Sequence, residues 1–225
     1  MTTLIICGAS GRMGKFITTV AEERKYFSKI LPVDLEHPLE NVINGGDVLI
    51  DFTLPEPSQH HLELALQHQK PIVIGTTGFS EEQKRKITES SKKIPIVFSP
   101  NMAIGVNVFF GLIAQAAQTL GKEFQINITE THHTQKKDSP SGTAKKMAEK
   151  VFEKTKNTPP IASHREGEII GTHEIVFETP AEKLTLTHEA NDRKVFAIGA
   201  VRAAEWILGK KSGLYTMAEV LGLPL

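Results

Sequence analysis

Leu4-Ile5-Ile6-Cys7-Gly8-Ala9-Ser10-Gly11-Arg12-Met13-Gly14 is the stretch that decides the fold. Four apolar residues in a row suit a strand buried on both faces. Glycines follow at once, and a helical pattern runs on to about Arg24. Strand, glycine loop and helix start form the dinucleotide-binding arrangement. The glycines permit a tight turn and close backbone approach, and the helix N-terminus faces a pyrophosphate. The spacing here is G-x-x-G-x-x-G rather than G-x-G-x-x-G, so a purely structural glycine turn would read the same way.

Moving outward, the pattern repeats. Ile30–Val33 reads as a second strand, and it ends at Asp34, about 20 residues after the glycine loop, where an acid commonly bonds the ribose hydroxyls of NAD. Asp47–Thr53 reads as a third strand. Pro55 and Pro57 break the chain before a helix over 59–68, on whose start His60 and His61 are expected as solvated surface residues. A fourth strand at 71–74 runs into Gly75-Thr76-Thr77-Gly78, at the strand end where open α/β sheets bind ligand. Ser80-Glu81-Glu82-Gln83 is a capping box opening a helix to about Lys93. A fifth strand over 94–99 turns at Ser99-Pro100-Asn101-Met102. Strands alternating with helices predict a parallel, doubly wound sheet.

The second half reads differently. A long apolar-faced helix over 105–120 precedes an alternating run at 124–129. Gly171–Phe177 and Lys183–Ala190 alternate like antiparallel strands, giving an open mixed sheet. Ala197–Leu208 is a small-residue helix, and Gly213-Leu214-Tyr215-Thr216-Met217 opens a last short one. Between the alternating run and the helix at 144–154 stands Glu130-Thr131-His132-His133-Thr134-Gln135-Lys136-Lys137-Asp138-Ser139-Pro140-Ser141-Gly142-Thr143-Ala144. It reads as a polar loop in which Pro140 and Gly142 fix the backbone and Ser141 or Thr143 caps the helix. The free N–H groups there form an anion site beside titratable side chains. A polar surface loop with a capped helix is the plainer reading, and metal binding by the His pair with Asp138 is a weaker one.

This stretch resembles the motif E-x-H-H-x-x-K-x-D-x-P-S-G-T-A of the 4-hydroxy-tetrahydrodipicolinate reductase (dihydrodipicolinate reductase) family, with every fixed position present. The glycine loop, S-P-N-M, F-A-x-G-A-x-x-A-A-x-W and G-L-Y-x-M also resemble that family, and Tyr26–Gly46 is the weakest, compressed part. The resemblance implies a Rossmann-type domain over 1–103, completed by 193–225. It also implies a substrate-binding and tetramerisation domain over 104–192. It implies NAD(P)H-dependent reduction of a cyclic imino acid on the lysine and diaminopimelate route. His132 matches the acid/base histidine and Lys136 the proton donor. His133, Ser141, Gly142 and Thr143 match substrate contacts. Gly8, Ser10, Gly11, Arg12, Met13, Gly14, Asp34, Gly75, Thr76, Thr77, Ser99, Pro100, Asn101 and Met102 match the cofactor side, and no metal is expected. Asp34, with no Arg after it, leans the cofactor toward NADH over NADPH. Glu130 is read as supporting the site from behind, and His164, His173 and His188 as isolated structural residues. A dehydrogenase of another small imino or oxo acid, and a non-catalytic dinucleotide sensor, are the competing readings.

Composition narrows the classes. The 26 basic and 26 acidic residues cancel, which argues against a nucleic-acid protein held by phosphate charge. The single cysteine, Cys7, lies inside the first apolar run and suits a reducing cytoplasm. No secretory leader is legible, and the stretch over 103–117 is too short to span a bilayer.

Overall fold

Side chains alternate along β1 (Thr3–Cys7), and that alternation builds two cores from one strand. Leu4 and Ile6 enter one apolar cluster, while Ile5 and Cys7 enter the other. The computed structural model describes residues 2–223. They divide into one unit reaching Ile104 and taking up Lys194–Leu223, and a second unit over Gly105–Arg193.

In the first unit β1 pairs in parallel with β2 (Lys29–Val33) and β3 (Val48–Asp51). The sheet continues through β4 (Ile72–Ile74) and β5 (Pro95–Phe98) to β10 (Gly213–Tyr215), in the order β10-β5-β4-β3-β1-β2. Helices α1 (Arg12–Arg24), α6 (Lys194–Ile207) and α7 (Met217–Leu221) bury their apolar faces on one side. Helices α2 (Pro55–Gln67) and α3 (Glu81–Ser91) bury theirs on the other. This is a doubly wound α/β sheet. Ser80 and Gln83 form the capping box of α3, each side chain bonding the other's backbone N–H.

Three local expectations are corrected. Helix α2 begins at Pro55, not after the prolines, because a first-turn N–H has no intrahelical partner to lose. Gly213–Tyr215 is a sixth strand, paired with β5, rather than the opening of a helix. Helix α7 starts beyond it, with Thr216 and Glu219 as its own capping box. His61 is also not a solvated surface residue: its ring is largely buried against Asp51.

The second unit is built on α4 (Ile104–Leu120), β6 (Gln125–His132), α5 (Gly142–Thr155), β7 (Ile161–Arg165), β8 (Gly171–Glu178) and β9 (Lys183–Ala190). Its sheet runs β7-β6-β8-β9, with β7 parallel to β6 and the other pairs antiparallel. It is the open mixed sheet of an α+β domain. Phe109 and Ile113 of α4 and Met147 and Val151 of α5 pack on Ile128, Ile175 and Phe177 from one face. Strand β7 was not anticipated: its five residues carry no clear alternation of apolar and polar side chains, and pairing with β6 is what makes them a strand. Strand β6 also runs three residues further than expected, so Glu130 and His132 stand on a strand rather than in a loop.

Helix α6 needs small residues because it touches backbone. A Cβ at Gly199 would stand 1.6 Å from the carbonyl oxygen of Met102. Gly199→Ala is expected to cost about 1–3 kcal/mol of stability, or roughly 2–12 °C in a chain of this size. Thermal unfolding by circular dichroism measures this; an unchanged midpoint would mean that α6 can withdraw from the turn.

Candidate active site

The C-terminal edge of the parallel sheet gathers the residues that the sequence assigned to a dinucleotide. Helix α1 starts at Arg12 with Gly11 at its N-cap. No side chain caps it, and its first turn holds no acid. Its leading N–H groups are therefore open to an anion. Gly8 and Ala9 donate to the Val33 carbonyl at 2.9 and 3.1 Å, which ties the loop to β2. A Cβ at Gly14 would lie 2.1 Å from the Gly8 oxygen, so only glycine lets α1 come this close to its loop. Ser10, Gly11 and Arg12 are exposed, with Met13 half-buried behind them. This cradle fits a pyrophosphate.

Beside it, Asp34 Oδ1 accepts the N–H groups of Glu36 and His37 at 3.1 Å each, and the turn holds its carboxylate at the end of β2. Gly75 packs on the Phe52 ring, and Thr77 is exposed. The Thr76 hydroxyl is not turned outward. It donates to Asp51 at 2.6 Å, leaving only the backbone of that residue for a ligand. Asp51 is fully buried and also binds the Thr53 hydroxyl at 2.9 Å and His61 Nδ1 at 2.6 Å. Ser99 donates to the Asn101 carbonyl and the Asn101 side chain takes the Ala103 N–H, shaping the turn around exposed Pro100. The Met102 side chain is buried in the core, so its contribution at this edge is confined to backbone.

In the second unit, His132 is buried at the end of β6, opposite Arg165 of β7. Its Nδ1 lies against Oε2 of Glu130, which has no exposure at all. Arg165 Nη1 donates to the other oxygen of Glu130 at 3.0 Å, and Nη2 donates to the Asp138 carbonyl at 2.6 Å. Lys136 pairs with Asp138 at 2.8 Å, and His133 donates its backbone N–H to Ile169. Ser141 caps α5 by accepting the Ala144 N–H at 3.1 Å. No acid lies in the first turn of α5, where Gly142 and Thr143 stand. His132, His133, Lys136 and the α5 N-terminus therefore belong to one strand-loop-helix segment.

His173 and His188 are not isolated, contrary to expectation. They face each other across β8 and β9, and the His173 ring meets that of His132 edge-on with centroids 4.9 Å apart. His173 Nε2 shares a 3.2 Å hydrogen bond with the Ser141 hydroxyl. Only the β6 to β8 register, invisible in the sequence, could have revealed this.

Electrostatics follow from burial. Burial pushes the His132 imidazole below its ordinary pKa; Lys136 and Arg165 push the same way, while Glu130 opposes them. Burial would raise the Glu130 carboxyl. The neighbouring Ser163 and Arg165 and the nearby positive charges outweigh this and hold it below its usual value. Burial, reinforced by His132, brings His173 down to about 4.

Two clusters bring three metal-capable donors within 4.8 Å: Glu130 with His132 and His173, and Cys7 with Asp51 and His61. In both, the carboxylate is already engaged by protein donors. We read the Asp51 cluster as a hydrogen-bonded network and the Glu130 cluster as one held by charge pairing.

His173 generates a pH prediction. Its pKa falls from 6.5 in the unfolded chain to about 4, so the unfolded state binds the extra proton between those values. Stability from this residue is complete above pH 6.5 and is lost as the pH falls toward 4. The loss amounts to about 3 kcal/mol. Urea midpoints at pH 7 and pH 4.5 should converge in His173→Phe relative to the parent; an equal acid loss in both would show that His173 is not the group responsible.

Comparison with known proteins accords with this arrangement. Residues 2–102 match the family described as dihydrodipicolinate reductase, N-terminus, and residues 105–221 match dihydrodipicolinate reductase, C-terminus. The 4-hydroxy-tetrahydrodipicolinate reductase of Syntrophotalea carbinolica is 38% identical over 266 aligned positions, covering 99% of this chain and 100% of the relative. That of Trichlorobacter lovleyi is 39% identical over 265, with the same coverage. A dipicolinate-bound dihydrodipicolinate reductase from Paenisporosarcina sp. TG-14 superposes with a TM-score of 0.79 at 25% identity, covering 97% of this chain and 98% of that one. The NAD complex of GenD2, at 7% identity and a TM-score of 0.61, shares the fold alone. With both halves matched and full-length relatives well above 30% identity, the chain belongs to the dihydrodipicolinate reductase family of oxidoreductases.

Proposed function

We propose that this protein reduces 4-hydroxy-tetrahydrodipicolinate to tetrahydrodipicolinate in lysine and diaminopimelate biosynthesis. The observation that carries the reading is the buried His132, backed by Glu130, on the same strand-loop-helix segment as Lys136 and an acid-free helix N-terminus. NADH or NADPH supplies the hydride. The α1 N-terminus, with Gly8, Ser10, Gly11, Arg12, Met13 and Gly14, holds its pyrophosphate. Gly75, Thr76, Thr77 and Ser99 to Met102 line its other end, largely through backbone. Asp34 takes the adenosine ribose, and NADH is the preferred form.

His132 donates the proton that the reduced ring requires. An acid whose pKa sits somewhat below neutrality gives its proton readily. Lys136 is a second donor and offsets negative charge on the ring or a carboxylate. His133, Ser141, Gly142 and Thr143 hold a substrate carboxylate at the start of α5. The Paenisporosarcina relative binds dipicolinate, a flat ring with two carboxylates, which is the shape and charge such a site suits. The second-unit sheet serves assembly, and we propose a homotetramer built through it. Among the described residues no helix is long and apolar enough to cross a membrane, and a cytoplasmic site of action is part of the same proposal.

Pyruvate condensed with aspartate semialdehyde by the upstream synthase supplies the substrate, and the absorbance of NADH or NADPH reports turnover. His132→Ala should lower kcat by roughly 10²–10⁴-fold with cofactor affinity little changed. No turnover by folded parent protein would favour a dinucleotide sensor or another imino-acid substrate. Asp34→Ala should weaken NADH more than NADPH in the same assay; an unchanged ratio of the two efficiencies would remove Asp34 from cofactor selection.

A further inference from the structure

Polar residues cross the second-unit sheet in two adjacent rows. One row is Ser163, Glu130, His173 and His188; the next holds Arg165 beside His132. Such a buried layer is costly unless each charge is answered. Glu130, with zero exposure, lies against His132 Nδ1 through one oxygen and receives Arg165 Nη1 at 3.0 Å on the other. Arg165 also donates to the His164 carbonyl at 2.6 Å and to the Asp138 carbonyl at 2.6 Å, inside the loop that carries Lys136. His132 Nε2 faces Gly171, where an added Cβ would stand 3.0 Å away.

We infer that Glu130 and Arg165 are a positioning pair for the proton transfer. The carboxylate holds the Nδ1–H of His132, so the proton given to substrate sits on Nε2, and the guanidinium fixes both that carboxylate and the loop bearing Lys136. The inference rests on His132 as the proton donor.

The physical logic is one of balance. A buried carboxylate alone would hold the imidazolium proton too tightly for easy transfer. Arg165 on β7 neutralises part of that charge, and Lys136 adds a second cation from the loop. His173 on β8, neutral at working pH with His188 behind it on β9, adds no competing charge. The ring is thereby oriented by an anion without being trapped as a cation. An Asp or Gln at position 130 could not do both: Asp falls short by a methylene, and Gln lacks the charge.

Histidine nitrogen shifts in labelled parent protein test the tautomer directly, with His132 assigned from its loss in His132→Gln. The neutral ring should carry its proton on Nδ1; a ring protonated on Nε2 instead would overturn the inference without touching the assigned reaction. Glu130→Gln should lower kcat roughly 10–100-fold, part of what proton transfer contributes. It should also move the alkaline fall of the kcat–pH profile to lower pH. Arg165→Gln, which removes the cation, should move that limb the other way. Parental kcat and profile in Glu130→Gln, beside a His132→Ala enzyme that has lost turnover, would refute the pair alone. Unimpaired His132→Ala would refute the pair and the donor assignment together.

Discussion

Among the described residues each unit buries one carboxylate completely at or near the end of a strand, and each carboxylate organises the loop beside it. An ionised group removed from water costs several kcal/mol unless donors replace the lost hydration. Asp51 recruits the hydroxyls of Thr53 and Thr76 and the ring of His61, drawing three separate segments onto the edge of the parallel sheet. Glu130 recruits Arg165 and His132, drawing β7 and the loop after β6 together. In both places the need to satisfy a buried charge, rather than loop sequence alone, fixes where the neighbouring backbone goes.

That constraint explains why Thr76 has only its backbone left to offer a ligand. A hydroxyl committed to Asp51 at 2.6 Å is not free for a ribose, but it stiffens the G-T-T-G turn and keeps its N–H groups in place. Cys7 lies in the same neighbourhood, where burial and the Asp51 charge push its thiol up and keep it protonated and inert. Rigidity at a binding edge reduces the entropy lost when a ligand arrives.

The strand, glycine loop and helix at residues 4–24 were legible because both faces of β1 are apolar and glycine has few other reasons to recur at such spacing. The loop from His132 to Thr143 stood out as a candidate site because charged and titratable residues crowd where no core could use them, although a polar surface loop would read the same way and the individual roles came from the family resemblance. His61, His173 and His188 were misread for one shared reason. A lone histidine in an amphipathic pattern looks solvated or structural until a cross-strand register or a facing strand end supplies its partner. Strand β10 escaped because three residues carry too little periodicity, and only pairing with β5 makes them a strand. Helix α2 was begun too late because two prolines look like a break, although the first turn is where proline fits best.

The link from β2 to β3 bears on the choice of cofactor. Residues 34–47 cross from one strand to the other without an α-helix. Two short 3₁₀ turns bury Leu39 and Ile43 as the only anchors needed. That segment carries Asp34, Glu36, Glu40 and Asp47 but no Lys or Arg. Its one other titratable group, His37, already leans on Asp34 at 3.3 Å. Asp34 itself is locked by two backbone N–H groups through Oδ1 and cannot swing aside without unmaking the turn. A 2′-phosphate placed here would meet fixed negative charge with no guanidinium from this segment to answer it, whereas a ribose diol would find an acceptor already oriented. The crossover thus supports the proposed preference for NADH through the same principle that governs the two buried carboxylates: the position of a charge is decided by the donors that surround it.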